Sequence, residues 1–547
     1  MRREGEVFTA RLPASAGDRY FYLLDDGRPL PDPVSRLLPA GVHGPTEIVD
    51  PEAFRWSDQG WRGLALREYI LYELHVGAFT PQGRFEGVIE KLDYLKALGI
   101  SVIELMPVAA FPGKRNWGYD GASPYAVQAS YGGPEGLKRL VDAAHRAGLG
   151  VVLDVVYNHL GPEGNYLRRF GPYFTGRHHT PWGDAINYDG PEAREVRRYF
   201  VENALYWVRE YHLDGLRLDA VQTICDESPK HIVQEIAESV HALAHDLGRR
   251  VTVTAETDEN DARYFRPVER GGYGADAVWS DDFHHALHTV LTAEREGYYQ
   301  DFGRKQQLLR ALNEGFAFQG EPFNFWGGRP RGTPAPDVPL CRHVICTQNH
   351  DQVGNRARGE RLTELVPRGA RKLAAALLLL APHTPLLFMG QEYDEQAPFQ
   401  YFTDHGDPAL QKAVSQGRRR EFKQFTWDQV PDPQDGATFE RSKLKWPVGS
   451  GQWPAGRQSS VFSRQEEMLE WYRQLVALRR RVVMSGERTC RAGWREDTLV
   501  MQVPAQEPRV MVVVGFPGSG AFDPGTAWTP VLRAEEDGYR TAVYQRP

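Results

Sequence analysis

Three acids stand at the ends of three short apolar runs. They are Asp219 in "GLRLDA" (215–220), Glu256 in "VTVTAE" (251–256) and Asp351 after "HVICTQNH" (343–350). Successive side chains on a strand alternate between faces, so Arg217 and Asp219, two residues apart, share one. A charge buried on that face is costly unless it is paired. An arginine beside an aspartate favours the ionised carboxylate, which suits a nucleophile. An acid ending an apolar run such as "VTVTA" is partly buried, which raises its pKa and suits a general acid. Two carboxyl groups in those two states, facing one another, are what glycoside hydrolysis requires. Asp351 would then steady the sugar and its developing positive charge.

The acids can meet only if the strands that carry them lie together. From about residue 69 the sequence alternates between strand and helix patterns. Eight apolar runs read as strands: "YILYELHV" at 69, "SVIELMPV" at 101, "GVVLDVVYNH" at 150, "GLRLDA" at 215, "VTVTAE" at 251, "ADAVWS" at 275, "HVICTQNH" at 343 and "PLLFMG" at 385. Amphipathic segments at 86–99, 136–148, 195–212, 228–248 and 465–481 read as helices. Ser228 and Pro229 read as the cap and first turn of the fourth of these. Eight strand–helix units imply a closed (β/α)8 barrel, with its active site at the strands' C-terminal ends. The open doubly wound sheet is the rival, but no GxGxxG follows the first strand. The long stretches 158–191, 280–340 and 390–463 all fall at that mouth. The expected division is a partial N-terminal β-sandwich domain over 1–66, a catalytic barrel over 67–482 and a C-terminal β-sandwich domain over 483–547.

The bulk composition is that expected of a soluble globular protein. The 547 residues carry a net charge of −7 with both signs interspersed, so no basic stripe for nucleic acid exists. The longest apolar run, "LAAALLLLAP" from Leu373, is about half of the ~20 residues a membrane span needs. The start "MRREGEVF" lacks the apolar core of a signal peptide. The four cysteines, Cys225, Cys341, Cys346 and Cys490, show no CxxC or Cys/His metal spacing. A cytoplasmic protein is expected, monomer or homodimer, with no membrane or nucleic-acid partner.

"DVVYNH" (154–159), "GLRLDAVQ" (215–222), "TAETD" (254–258) and "QNHD" (348–351) resemble, in order and spacing, the four signature regions of the alpha-amylase superfamily of glycoside hydrolases. The resemblance implies Asp219 as nucleophile, Glu256 as acid/base, Asp351 as transition-state stabiliser, and a retaining mechanism. It places the sugar-stacking tyrosine at Tyr119. It implies that His159, Arg217 and His350, with Gln352 beside them, bind the sugar at the cleaved bond or orient the nucleophile. Asp154 and Asn158 read as structural supports. No acidic loop accompanies Asn158, so neither metal nor cofactor is expected.

Further stretches resemble the maltooligosyltrehalose trehalohydrolases within that superfamily: "WSDDFHHALH" (279–288), "NHDQVGNRARGERL" (349–362), "GQEYDEQAPFQYFTDHGDP" (390–408), "GRRREFKQF" (417–425) and "DPQDGATFERSKLKW" (432–446). That implies hydrolysis of the α-1,4 bond next to the terminal trehalose of maltooligosyl trehalose, releasing trehalose. Asp282, Phe283 and His284 would help form the trehalose-side subsite. Trp279 reads either as a sugar contact or as a core aromatic closing strand six. "GRRREFK" reads as a solvated helix face. Glycogen branching enzymes share the layout and the "WGY" segment and are the nearest competitor. Residues 1–66 resemble only the second half of the family's N-terminal sandwich, so a truncated or late-assigned start is expected.

Overall fold

The computed structural model describes residues 2–4, 7–180, 182–421, 430–446, 460–486 and 488–546. Eight parallel strands close into a barrel. Strands one to four are Leu71–Leu74, Val102–Leu105, Gly150–Val155 and Gly215–Leu218. Strands five to eight are Thr252–Glu256, Ala277–Trp279, His343–Cys346 and Thr384–Phe388. Each pairs with its sequence neighbour, and strand eight returns to strand one. All eight runs expected to be strands are therefore staves of one barrel.

Alternation along the strands sorts side chains into layers. Leu71, Val102, Val152, Ala277, Val344 and Leu386 pack together in an apolar cluster. Two residues further along, on the same face, come Glu73, Glu104, Asp154 and Arg217. The ladder register joins them: Glu73 lies opposite Glu104, and Asp154 opposite Arg217. A charged layer thus sits directly above an apolar one inside the barrel, facing the strands' C-terminal ends. The outward residues, including Tyr72, Ile103, Leu153, Leu216 and Val253, join the main core beneath the helices.

The helices follow the sequence pattern with two differences. Gly133–Ala147 ends at Gly148, whose φ of 82° supplies the left-handed turn that closes the last carbonyls. The stretch 86–99 is two helices, Phe85–Ile89 and Leu92–Leu98, not one. The helix expected to open at Ser228 begins at Ile232 instead. Asp226 accounts for the delay: its carboxylate accepts the Ile232 N–H at 2.6 Å and also binds the Ser228 hydroxyl, so Ser228 serves the turn and not the helix. The final helix is Ser460–Leu478.

Outside the barrel, five antiparallel strands form a C-terminal sheet in the order Arg491–Arg495, Thr498–Val503, Val510–Gly515, Tyr539–Gln545, Thr529–Glu536. Among the described residues of 1–66 there are three short two-stranded ladders. All four cysteines are free, and Cys341 lies in the turn before strand seven, not within it. No helix among the described residues is long and apolar enough to cross a membrane.

The lower rim of the barrel is tied by Asp214, which immediately precedes strand four. Its two oxygens accept from Trp61 Nε1 at 2.7 Å, Arg249 Nη2 at 3.1 Å and the Val151 N–H at 2.9 Å, and pair with His145 Nε2 at 2.9 Å. His145 Nδ1 meets Asp58 at 2.8 Å on its other side. Burial alone would lower the His145 pKa, but hydrogen bonds to Asp214 and Asp58 outweigh it and hold it above its ordinary value. Replacing Asp214 by Ala leaves the largely buried Arg249 side chain without its anion, while His145 keeps Asp58. Such an uncompensated buried charge costs about 3–5 kcal/mol. We expect urea unfolding of Asp214→Ala to show a loss of that order, with turnover per folded molecule unchanged. Stability within 1 kcal/mol of the parent, on the order of a surface substitution, would mean that the rim does not depend on this cluster.

Candidate active site

Arg217 occupies the barrel axis and is fully buried. Nη1 donates to Asp154 Oδ2 at 2.7 Å and to Asp219 Oδ1 at 2.8 Å. Its guanidinium lies 4.3 Å from the centre of the Trp279 ring. The other Asp219 oxygen, Oδ2, accepts from Asn158 Nδ2 at 2.7 Å. Asn158 is therefore a direct partner of Asp219, and Asp154 orients the arginine. Both were expected as supports, and these are the contacts through which they act.

Glu256 ends strand five next door. Arg217 Nη2 stands 3.7 Å from Glu256 Oε2, beyond hydrogen-bond reach. Burial raises the Glu256 pKa, Arg217 opposes it, and the Asp219 and Asp351 charges add to it, so the carboxyl is held well above its ordinary value. The Ala220 N–H donates to Glu256 Oε2. Ala220 has φ 39° and ψ 51°, a left-handed conformation unusual for a residue with a Cβ. The turn that follows Asp219 thereby aims a backbone donor at the neighbouring acid.

His350 and Asp351 begin the short helix after strand seven. Asp351 accepts from Asn355 Nδ2 at 3.2 Å and lies 3.4 Å from His350 Nε2. The His350 ring stacks on Tyr119, centroids 5.2 Å apart, and the Tyr119 hydroxyl donates to Asp154 at 2.6 Å. His159 Nε2 meets the Tyr119 carbonyl at 3.0 Å, and its ring stacks on Trp182 with centroids 4.2 Å apart. Asp219, Glu256, Asp351, Tyr119, His159 and His350 line one cavity of about 510 Å³ at the barrel mouth. A larger hollow of about 760 Å³ lies beside Phe54 and Lys138, but it contains none of the strand-end residues.

Five expected site residues lie elsewhere. Asp282, Phe283 and His284 fall in the helix Asp281–Thr292 and are buried behind the cleft wall. Asp282 Oδ2 accepts from Asn260 Nδ2 at 2.7 Å, Ala317 N at 2.7 Å and Phe318 N at 3.0 Å, and Oδ1 pairs with Arg331 at 2.9 Å. His284 joins the Thr347 carbonyl at 2.7 Å and the Tyr299 hydroxyl at 2.9 Å. With their polar atoms committed inward, these residues staple the strand-six loop and offer nothing to a sugar. Trp279 is likewise buried beneath Arg217, the core-aromatic alternative for this position. Gln352 is buried on the helix after strand seven, with its N–H donating to Asn349 Oδ1 at 2.8 Å.

Other residues take part without having been expected. Trp182, half exposed on the hairpin after strand three, and Tyr401 both line the cavity. So does Arg418, which donates to Asn355 Oδ1 at 3.0 Å. "GRRREFK" therefore presents at least this arginine to the cleft, while its residues 422 and 423 fall outside the described residues. Asp281, the partly exposed acid next to Asp282, is not among the residues lining that cavity, and burial and the charge of Asp351 raise its pKa to about 7. A tryptophan alone in the polar stretch "HTPWGD" was the available signal for Trp182.

Among the described residues, one group has ligand atoms close enough to share a metal: His178, Asp189 and Glu227. Arg177 already pairs with both of its carboxylates, at 3.3 and 3.4 Å.

Comparison with known proteins places this geometry. Residues 48–179 match the alpha-amylase catalytic domain family. The malto-oligosyltrehalose trehalohydrolase of Saccharolobus solfataricus is 47% identical over 480 residues, covering 88% of this chain and 80% of the relative. A GlgB branching enzyme of Mycobacterium bovis is 29% identical over 385 residues, covering 64% and 48%. A crystal structure described as a putative alpha amylase from Salmonella typhimurium superposes with a TM-score of 0.87 at 38% identity, covering 98% of this chain and 91% of the other. At 47% identity over 88% of its length, the chain belongs to the malto-oligosyltrehalose trehalohydrolase family of alpha-amylase-type (β/α)8 barrels.

Proposed function

We propose that this chain is a retaining glycoside hydrolase that cleaves the α-1,4-glucosidic bond adjacent to the terminal trehalose of maltooligosyl trehalose and releases free trehalose. The observation that carries the reading is the pair Asp219 and Glu256 around Arg217, on a chain 47% identical to a relative named for that activity. The substrate is a soluble oligosaccharide, and the proposed compartment is the cytoplasm.

In this mechanism Asp219 attacks the anomeric carbon as Glu256 gives its proton to the departing glycosidic oxygen. Trehalose leaves. Glu256, now a carboxylate, takes a proton from water, and the resulting hydroxide displaces Asp219 with net retention. The environments suit the roles: Asp219 accepts from Arg217 and Asn158, whereas Glu256 is held protonated by burial. Asp351 faces the site from strand seven and would stabilise positive charge on the sugar. Tyr119 offers its ring to the sugar face, and His159 and His350 border the same position. Strand six adjoins the strand of the general acid, so its loop would border the departing group. There the partly exposed Asp281 replaces Asp282 and His284 as the candidate contact for trehalose hydroxyls.

Asp219→Asn and Glu256→Gln should each lower kcat by about a thousandfold or more, with unchanged circular dichroism. Near-parental turnover in either purified variant would remove that residue from its role. Incubation with maltotriosyl trehalose should yield trehalose and maltotriose, and faster than maltopentaose is cleaved. New α-1,6 branches in place of free trehalose would favour the branching reaction instead. EDTA should leave turnover unchanged, because Asn158 is committed to Asp219 and Arg177 occupies the His178 group. Loss of activity in EDTA, restored by calcium, would reveal a functional metal.

A further inference from the structure

Glu73, in strand one, is buried and is not among the residues that line the active-site cavity. Its carboxylate nevertheless grips His350 twice. Oε2 accepts the His350 backbone N–H at 3.0 Å, and Oε1 makes a short contact with ring Nδ1. On the far side of the ring, Nε2 meets the Tyr119 hydroxyl at 2.7 Å. That hydroxyl has one hydrogen and donates it to Asp154, so it must accept from His350. Nε2 therefore carries a hydrogen. Nδ1 faces a carboxylate, which only accepts when ionised, so it carries the other.

We propose that Glu73 is a positioning residue of this glycosidase: it fixes His350 as a doubly protonated imidazolium, and through it the Tyr119–Asp154–Arg217 chain that orients Asp219. The inference rests on the glycosidase reading above and names a residue that touches no substrate.

The charges around the ring agree. Burial disfavours a charged His350, but Asp351 and Glu73 outweigh it and raise the pKa to about 9, against the opposing charge of Arg217. The remaining ionisable neighbours are Asp154 on strand three, Glu104 on strand two and His75 after strand one. Asp154 is raised by burial to about 6 and is ionised above that pH. Glu104 is held well above the carboxylate range by burial and then by the charge of Glu73, so it adds no second anion. Burial lowers His75 to about 4, so it is neutral where the enzyme would work.

A group with a raised pKa keeps its charge below that pKa and loses it above. Turnover should therefore fall as pH rises through about 9. Removing the anion by Glu73→Gln should move that basic limb down by about one to two pH units. The loss in kcat should then be small at pH 6 and about two- to tenfold at pH 8, with KM changed less, and Glu73→Asp should restore much of the limb. A purely structural role would lower activity by one factor at every pH, and that result would overturn the assignment. If Glu73→Gln does not fold, nitrogen NMR of the wild-type histidines decides, with His350→Gln identifying the signal. An imidazolium persisting to pH 8 is expected, and a neutral His350 at pH 7 would refute the proposal. A wild type inactive on every α-1,4-glucan would sink the glycosidase reading, while the NMR titration would still judge Glu73.

Discussion

A guanidinium on the axis of a closed barrel is the constraint around which the rest is arranged. Arginine cannot shed its proton in a protein, so Arg217 must be neutralised where it stands. The strands around it supply acids at matching height: Asp154 in register on strand three, Glu256 at the end of strand five, and Asp219 just past its own strand. His350 adds a second cation, met by Glu73 on one side and Asp351 on the other. Each carboxylate has a nearby positive group, yet the distances differ. Those differences give chemically identical side chains different work. Asp154 and Asp219 hydrogen-bond to one nitrogen of Arg217, whereas Glu256 is displaced beyond hydrogen-bond length and burial holds its pKa well above the ordinary carboxylate value.

The segment "DGLRLDA" compresses the division of labour. Asp214 enters the strand and ties the lower rim through Trp61, His145, Val151 and Arg249. Arg217 and Asp219, nearer the upper end, face the substrate cavity or its support. Lower rim and upper site are separated by the apolar layer of Leu71, Val102, Val152 and Ala277. This is the arrangement expected of a barrel whose C-terminal face does chemistry and whose N-terminal face supplies stability. It also explains how strand four and its two flanking residues carry three charges within six positions.

Much of this was legible in the sequence, because the relevant signals are local and periodic. Eight apolar runs with intervening amphipathic stretches identify the barrel, and acids at the ends of three runs identify the mouth. What the sequence could not give was direction within a loop. Asp281 and Asp282 are adjacent, yet the helix beginning at Asp281 turns Asp282 inward to Arg331 and leaves its neighbour partly exposed. Nor could it give contacts between distant segments, such as Trp182 over His159. Glu73 is a different case. An acid inside "YILYELHV" is as anomalous as the arginine inside "GLRLDA", and the same reasoning about buried charge applied to both.

The charged layer also bears on the fold. Its charged members come from strands one, three and four, and from the helix after strand seven, so no local piece of chain can satisfy them. Until the barrel closes, Glu73 lacks His350 and Asp154 lacks Arg217. Leaving one partner buried without the other costs far more than the completed pair returns. The apolar layers reward any approximate barrel, but this layer rewards only the register in which every charge finds its mate. In that register strand one meets strand eight, the Glu73 carboxylate falls beside His350, and Tyr119 is left with its hydroxyl on Asp154 and its ring toward the cavity. The interactions that select the closed barrel are thus the ones that set the orientation of the candidate nucleophile.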